Sequence, residues 1–250
     1  MTDPSTRTDR TAEEAPSPAW AASARAPRRG LTAFLLAVIA VGLLAAGGGL
    51  AVALGIGRTD SPTADSVDAG FSRDMSRHHL QAVEMANLVL LRTQDAEVRQ
   101  LAFDISATQT NQVGRMQGWL ALWGLPMSGG EVMSWMSGDT GSGDTGSRDT
   151  AAMHHMPHDA ADGAVMPGMA TETELAGLRG LSGTELDVRF LQLMIRHHQG
   201  GLEMARYGQA HATQAAVRSL ARSIAETQTA ETTTMGTMLR ARGGTPLPAP

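Results

Sequence analysis

Cysteine and lysine are both missing from this chain of 250 residues, and aromatic residues make up only 4% of it. Without cysteine there are no disulfides and no thiolate ligands, so a metal site must use histidine, methionine, carboxylate or amide groups. The formal charge of −5 excludes a nucleic-acid binder that depends on bulk basicity. Methionine, by contrast, is abundant. All 15 methionines except Met1 lie beyond residue 74, and all 8 histidines lie beyond residue 77.

The N-terminal part of the chain has the composition of a polar tail followed by a membrane segment. Residues 1–30 are rich in Ser, Thr, Ala, Pro and charge, and are predicted to be disordered. Residues 31–56 carry no charge over 26 positions, enough for a helix of about 39 Å that crosses a bilayer. Arginines precede this run and aspartates follow it, which predicts a single-pass membrane protein with a cytoplasmic N-terminus. The alternative is a secreted protein after signal cleavage near Ala53.

The remainder of the chain contains one unit twice, at a constant offset of 119 positions. The sequence Met75-Ser76-Arg77-His78-His79 returns as Met194-Ile195-Arg196-His197-His198, and each copy continues into Glu-Met-Ala. The offset holds without a gap from Asp68/Asp187 to Leu120/Leu239. The chain therefore carries two copies of one structural unit.

Each copy has two amphipathic helical patterns, which predict helices over about 65–92, 95–123, 182–211 and 214–242. Gly124 and Pro126 are stop signals, and Ser182 and Thr184 are candidate N-caps. With almost no strand signal, the predicted fold is an all-α four-helix bundle of two repeated hairpins, preceded by one transmembrane helix. Pairing of the two repeats, or formation of a homo-oligomer, would bury the narrow apolar stripes.

The predicted organisation divides the extracytoplasmic part into five segments. Residues 65–242 form one domain, which consists of the first hairpin (65–126), a flexible Gly/Ser/His/Met-rich linker (127–181) and the second hairpin (182–242). A tether (57–64) precedes the domain and a tail (243–250) follows it. The linker prediction rests on low complexity, including a near-exact pentapeptide repeat between residues 138 and 147.

Helical phase separates two kinds of repeated residue. At about 100° per residue, the histidines and methionines of each copy share one inward face. On the second helix of each hairpin, one face combines aliphatic residues with a glutamine and a methionine. These are Gln109 and Met116 in the first copy and Gln228 and Met235 in the second. Glu84 and Glu203 lie about 180° from the His/Met face. Helical phase does not decide whether these two glutamates are simply solvated or form ion pairs.

The duplicated His/Met face predicts a metal site, with plain core packing as the alternative for the methionines. Imidazole with thioether, and without thiolate, suits copper, as Cu(I) or Cu(II). The candidate ligands are His78, His79, Met75, Met85, His197, His198, Met194 and Met204. The candidate supporting residues are Gln109, Gln228, Glu231, Met116 and Met235.

A second group of candidate ligands lies in the predicted linker, where a flexible segment has no core to pack. We interpret these residues as a secondary copper-capturing tract, with compositional drift as the alternative. They are Met153, His154, His155, Met156, His158, Met166 and Met169.

No catalytic constellation is evident, so the chain is predicted not to be an enzyme. A di-iron carboxylate protein uses Glu-x-x-His on two helices, and this pattern does not occur. Nor is there a Gly-x-Ser-x-Gly motif, a phosphate loop or a cysteine nucleophile.

The repeated motif resembles an exported bacterial family known as domain of unknown function 305. The resemblance is carried by Asp-x-x-Phe-x-x-x-Met-x-x-His-His, then Glu-Met-Ala, then Leu-Ala-x-x-Ile-x-x-x-Gln, over residues 68–120 and 187–239. It implies a ferritin-like helical fold, and it implies copper binding because some members are periplasmic copper-binding proteins. The family's Gln-x-x-Glu pattern is kept as Gln228 and Glu231, whereas the first copy has Gln109 and Gln112.

The leading hypothesis is a membrane-anchored, extracytoplasmic protein for copper sequestration or tolerance, with a metal ion as its partner and no nucleic acid. Two alternatives remain. One is a structural or protein-interaction module whose buried His pairs have no metal role. The other is a metal-dependent oxidoreductase on the ferritin-like scaffold.

Overall fold

The computed structural model describes residues 28–54, 61–137 and 162–250. Within these ranges the chain is all-helical and has no strand. The helices are α1 (Arg28–Ala53), α2 (Val67–Leu90), α3 (Ala96–Leu122), a short 3-10 helix (Ser134–Met136), α4 (Glu172–Gly180), α5 (Gly183–His211) and α6 (Ala215–Ala241). Two compact units are formed, one extending to Asp60 and the other comprising Ser61–Pro250.

The first unit contains α1, which overlaps the membrane segment predicted at 31–56. Its stretch Gly30–Ala53 has a mean hydropathy of 2.4 and no residue buried by the protein. By length and composition it is able to cross a membrane, and an N-terminal signal sequence meets the same criteria. The three glycines at 47–49 do not interrupt the helix, which ends at Ala53.

The second unit contains the four long helices, which begin and end close to the predicted positions. Local chemistry sets the starts of the first hairpin: the Ser66 hydroxyl accepts a hydrogen bond from the Ala69 N–H, and the Asp95 carboxylate caps α3. Gly124, with φ +68°, ends α3 as predicted. Ser182 precedes α5 without a side-chain cap, and the other candidate cap, Thr184, lies inside that helix.

The two hairpins meet through α2 and α5, which run in opposite directions. Met85 and Val89, near the end of α2, pack in the same apolar cluster as Phe190 and Met194, in the first half of α5. A second cluster joins the start of α2 to the second half of α5. The fold is therefore a four-helix bundle of two repeated hairpins, as predicted, with two apolar clusters along its length.

The described parts of residues 127–181 differ from the flexible linker that composition predicted. Helix α4 lies there, held by a capping box between Thr171 and Glu174. Trp135 is buried and donates its indole N–H to Asp74 at 2.8 Å. Met166 and Met169 are also buried, in the second apolar cluster. The reason is tertiary: these short segments pack on a bundle surface that their own composition does not disclose.

Candidate metal-binding site

A layer of polar side chains separates the two apolar clusters in all four long helices. Each helix passes from one cluster to the other through two polar positions, so the layer crosses the whole core. We call it the polar layer, and its members are His78, His79, Gln109, Gln112, His197, His198, Gln228 and Glu231. All of these side chains are buried except that of Glu231, which is 18% exposed.

In each hairpin, one histidine of the polar layer forms a hydrogen bond with a side chain of the other helix, at equivalent positions in the two copies. His79 bonds through Nε2 to the amide oxygen of Gln112 at 2.8 Å. In the second copy His198 bonds through Nε2 to the Glu231 carboxylate at 2.7 Å. Both partners accept rather than donate, so each imidazole has a proton on Nε2, and its Nδ1 has no partner in the described ranges.

His78 and His197 meet where α2 and α5 cross. Their ring centroids are 3.8 Å apart, with the planes inclined by 37°. His78 donates from Nε2 to the carbonyl of Pro167 at 3.1 Å. A Cβ added to Gly201 would lie 3.1 Å from the His78 ring and 2.8 Å from the Gln228 amide oxygen, so both groups approach α5 at this glycine.

Many polar atoms in this layer have no hydrogen-bond partner within the described ranges. Burial without a partner costs about 1–3 kcal/mol for each such group, so a core rarely contains several. Those in the polar layer are Nδ1 of His78, His79 and His198, both ring nitrogens of His197, and both amide atoms of Gln109 and Gln228.

Burial keeps three imidazoles of the layer, those of His78, His79 and His197, in the neutral form. Burial lowers the pKa of His78 to about 4 and the pKa of His79 to about 3, with repulsion between the histidines adding to the effect. The pKa of His197 is held well below its usual value for the same reasons. Neutral imidazole is the form that binds metal ions.

The candidate methionines lie on both sides of the polar layer. Met75 and Met204 belong to the second apolar cluster, together with the supporting residue Met116. On the other side, the first cluster holds Met85, Met194 and Met235. All six are fully buried. Thioethers thus flank the imidazoles above and below, although the clusters also give each methionine ordinary apolar contacts.

The site lacks a preformed group of carboxylates and imidazoles. In the described part of the chain, no three His, Asp or Glu side chains come together as a metal site. Of the linker candidates, Met166 and Met169 are core residues rather than exposed capture groups. The other five, Met153, His154, His155, Met156 and His158, lie outside the described residues.

The structure also assigns a contact to Glu84, which helical phase placed away from the polar layer. Glu84 forms an ion pair with Arg179 of α4, and both side chains are about half exposed. Its counterpart Glu203 is exposed. Arg92, in the turn after α2, donates to the carbonyls of Arg179 and Leu181 and so caps the C-terminus of α4. Sequence reasoning missed these contacts because it did not predict α4.

Comparison with known proteins identifies the family of this chain. The chain belongs to the DUF305 family, described as a domain of unknown function, whose model matches residues 68–239. The match covers both hairpins and the segment between them. A search of curated proteins gave no significant match.

Solved structures share the fold of the helical unit, and two of them belong to the same family. A DUF305 protein of Streptomyces coelicolor, classed as secreted, is 42% identical, with 74% of this chain and 99% of that one covered and a TM-score of 0.62. A DUF305 fragment from Deinococcus radiodurans is 34% identical, with 73% and 99% covered and a TM-score of 0.53. CopM in a Cu(II)-bound form is 22% identical, with 70% and 97% covered and a TM-score of 0.50, and shares the fold.

Proposed function

We propose that the polar layer binds copper and that the protein sequesters copper outside the cytoplasm or passes it on. The observation that carries the proposal is the set of buried imidazole and amide atoms without a partner in the described ranges. An apolar core would be more stable without them, so their presence calls for a ligand.

The hydrogen bonds of the histidines support a metal rather than another polar ligand. Imidazoles that bind metals generally donate their second N–H to an oxygen, which fixes the tautomer and directs the lone pair. His79 and His198 have this arrangement with Gln112 and Glu231, respectively. His78 has it with a backbone carbonyl.

The type of ligand supports copper over iron and zinc. Without cysteine, and without a group of three imidazoles or carboxylates in the described ranges, a hard or tetrahedral site has too few donors. A site built from two imidazoles, such as those of His78 and His197, and from flanking thioethers suits Cu(I), because thioether is a soft ligand. CopM, which shares the fold, has a solved structure in a Cu(II)-bound form, and copper is therefore the metal to test first.

The remaining parts of the proposal follow from the N-terminal helix and the His/Met tract. Helix α1 would anchor the protein in the membrane with the helical unit outside, and cleavage near Ala53 would release it instead. The tract from Met153 to His158 would capture copper weakly and raise its concentration near the polar layer. The role is binding without catalysis.

The test is a titration of the purified full-length chain in detergent with Cu(I) against a chromophoric chelator, and with Cu(II) separately. A variant with His78, His79, His197 and His198 all changed to Gln should lose the tighter phase of binding. A tract variant with Met153, His154, His155, Met156 and His158 changed to Ser should lose only the weaker phase. Equal binding by the wild type and a folded His-to-Gln variant would refute the proposal.

A second candidate function, a structural or protein-interaction module, is favoured by the hydrogen bonds that three of the histidines already make. In that case His79–Gln112 and His198–Glu231 serve as buried polar contacts that fix helix register. The two candidates differ in metal-free protein. The structural role predicts a large loss of thermal stability in the His-to-Gln variant and no copper binding by the wild type.

A further inference from the structure

One segment of the chain crosses the α2–α5 interface beside the polar layer. We call residues 164–170 the strap. The Gln81 side chain of α2 holds its end through two bonds to Ala170, donating to the carbonyl at 2.9 Å and accepting from the N–H at 2.7 Å. From α5, Arg196 donates to the Met169 carbonyl at 3.3 Å. The strap is therefore fastened to both copies of the repeat.

The middle of the strap lies directly against the backbone of α5. A Cβ added to Gly200 would collide with the Pro167 carbonyl, and a Cβ on Gly168 would collide with the Arg196 carbonyl. Gly168 also has φ +77°, a conformation that favours glycine. Two glycines on opposite sides of one contact thus allow backbone to approach backbone.

Comparison of the two copies of the repeat shows that only the second copy makes this close backbone contact with the strap. Gly200 stands at the position that Gln81 occupies in the first copy, 119 residues earlier. The first copy uses a long amide to hold the strap, and the second copy has no side chain there and admits it. His78 donates to Pro167, whereas its counterpart His197 has no bond to the strap, and neither of its ring nitrogens makes a hydrogen bond of ordinary geometry among the described residues.

We propose that the strap converts two repeat-related histidines into unequal ligands, with the Pro167 carbonyl as the positioning group for His78. The part of this inference that concerns metal binding rests on the proposed copper function. The part that concerns the tautomer of His78 rests on geometry alone. A carbonyl only accepts, so His78 carries its proton on Nε2 and offers Nδ1 alone. His197 keeps either nitrogen available and adapts to the ion.

The experiment compares two Gly-to-Ala changes in the full-length chain. Gly200→Ala places a methyl group against Pro167 and displaces the strap, while alanine favours the helix. Gly114→Ala is the matched control, because that glycine also lies within a helix and a Cβ there meets nothing within 4 Å. Gln81→Met releases the other end of the strap without altering α5, and it replaces Gly200→Ala if that variant does not fold.

The first readout is the imidazole tautomer in metal-free, nitrogen-15-labelled protein by NMR. The wild type and Gly114→Ala should show His78 with its proton on Nε2. In Gly200→Ala and Gln81→Met, His78 should become a mixture of tautomers, while His79 keeps its state. An unchanged His78 tautomer in a variant whose strap is released, as judged by faster cleavage at 164–170 in limited proteolysis, would overturn the proposal.

The second readout is Cu(I) affinity. Gly200→Ala should weaken binding about 10- to 100-fold, the range expected for loss of a group that orients a ligand, and Gly114→Ala should not. Unchanged affinity in Gly200→Ala would overturn the unequal-ligand proposal. If the wild type binds no copper, the proposed function fails, and the NMR result still decides whether the strap positions His78.

Discussion

The imidazole rings of His78 and His197 lie against each other, with centroids 3.8 Å apart, at the point where the two copies of the repeat meet. Each copy contributes one ring, so neither hairpin holds this pair by itself. Pairing of the two hairpins therefore creates this contact as well as burying apolar surface. A ligand shared by both rings would bind the two hairpins together.

The first prediction concerns coupling between these two rings. His78→Ala and His197→Ala should each weaken Cu(I) binding at least about tenfold, and the double variant should lose little more, because residues in one site act as a unit. Chelator competition measures all three affinities. His211→Ala is the control, since this exposed histidine of α5 stacks on Tyr207 away from the layer. Additive losses would indicate two separate sites.

The second prediction uses the difference between Gln112 and Glu231. Glu231→Gln should reduce copper affinity about 10- to 100-fold, because a carboxylate raises the basicity of the imidazole it orients. Metal titration at fixed pH measures this effect. The exchange variant with Gln112→Glu and Glu231→Gln moves the carboxylate to the first copy and should recover most of the loss. Failure of the exchange to recover affinity would show that the second copy alone depends on its carboxylate.

The third prediction is a loss of stability in acid. The pKa values of His78 and His79 are lowered by burial from 6.5 to about 4 and about 3, so the unfolded chain binds more protons. Their contribution to the free energy of unfolding is therefore complete above pH 6.5 and is lost as the pH falls towards 4 and then 3. Chemical denaturation of metal-free protein should show this slope between about pH 6.5 and 5, before most carboxylates titrate.

A single substitution checks the source of this slope. His79→Gln removes one proton-binding group from the unfolded state, and the pH dependence should become shallower by one proton. A His79→Gln variant with the same slope as the wild type would mean that the pH dependence arises elsewhere.

Sequence periodicity predicted the helices and the inward face well because both depend on local spacing. The buried positions of Met75, His78 and Met85 follow from about 3.6 residues per turn, and the repeat confirms them in α5. Glu84 was also placed correctly, outside the core. Its partner Arg179 was not predicted, because α4 lies in a stretch whose composition resembles a linker.

The strap could not be predicted for a related reason. Its burial depends on close approaches at Gly168 and Gly200, which are tertiary fits and leave no periodic pattern. Met166 was interpreted as an exposed ligand because no core was expected near it, and that premise was wrong. The mismatch between Gln81 and Gly200 at equivalent positions was the one signal in the sequence, and it is interpretable only after the fold is known.

The fourth prediction concerns a link between the hairpins that involves no histidine. The buried Asp68 carboxylate accepts bonds from Thr213 N–H (3.0 Å), Thr213 Oγ1 (2.8 Å) and Gln214 N–H (2.8 Å), and so ties the residues just before α6 to α2. Asp68→Ala should lower the free energy of unfolding by about 1–3 kcal/mol, because three donors of Thr213 and Gln214 lose their acceptor. Denaturant unfolding measures the loss.

The repeat supplies the control for Asp68. Asp187 is its counterpart, and its Oδ1 has no partner in the ranges that the structure describes. Asp187→Ala should therefore cost less than Asp68→Ala. A larger loss for Asp187→Ala would contradict the assignment of this link between the hairpins to Asp68.

The fifth prediction separates stability from binding at Gln228. Its amide is buried, and neither polar atom has a partner in the described chain. Gln228→Met keeps a similar shape and removes the unpaired amide, so metal-free protein should gain about 1–3 kcal/mol in its free energy of unfolding. The same variant should bind copper more weakly if the amide beside His78 serves the site. Denaturant unfolding and chelator competition on one preparation measure both effects.

Gln81→Met is the matched control, because that amide already pairs with Ala170 and its loss should destabilise the protein. Opposite signs in the two variants would identify the unpaired amide, rather than glutamine burial in general, as the source of the gain. A stabilised Gln228→Met with unchanged copper affinity would remove Gln228 from the site and leave the imidazoles and thioethers as its ligands. A destabilised Gln228→Met would instead mean that the amide has a partner in solution, such as a bound water that joins it to the histidines.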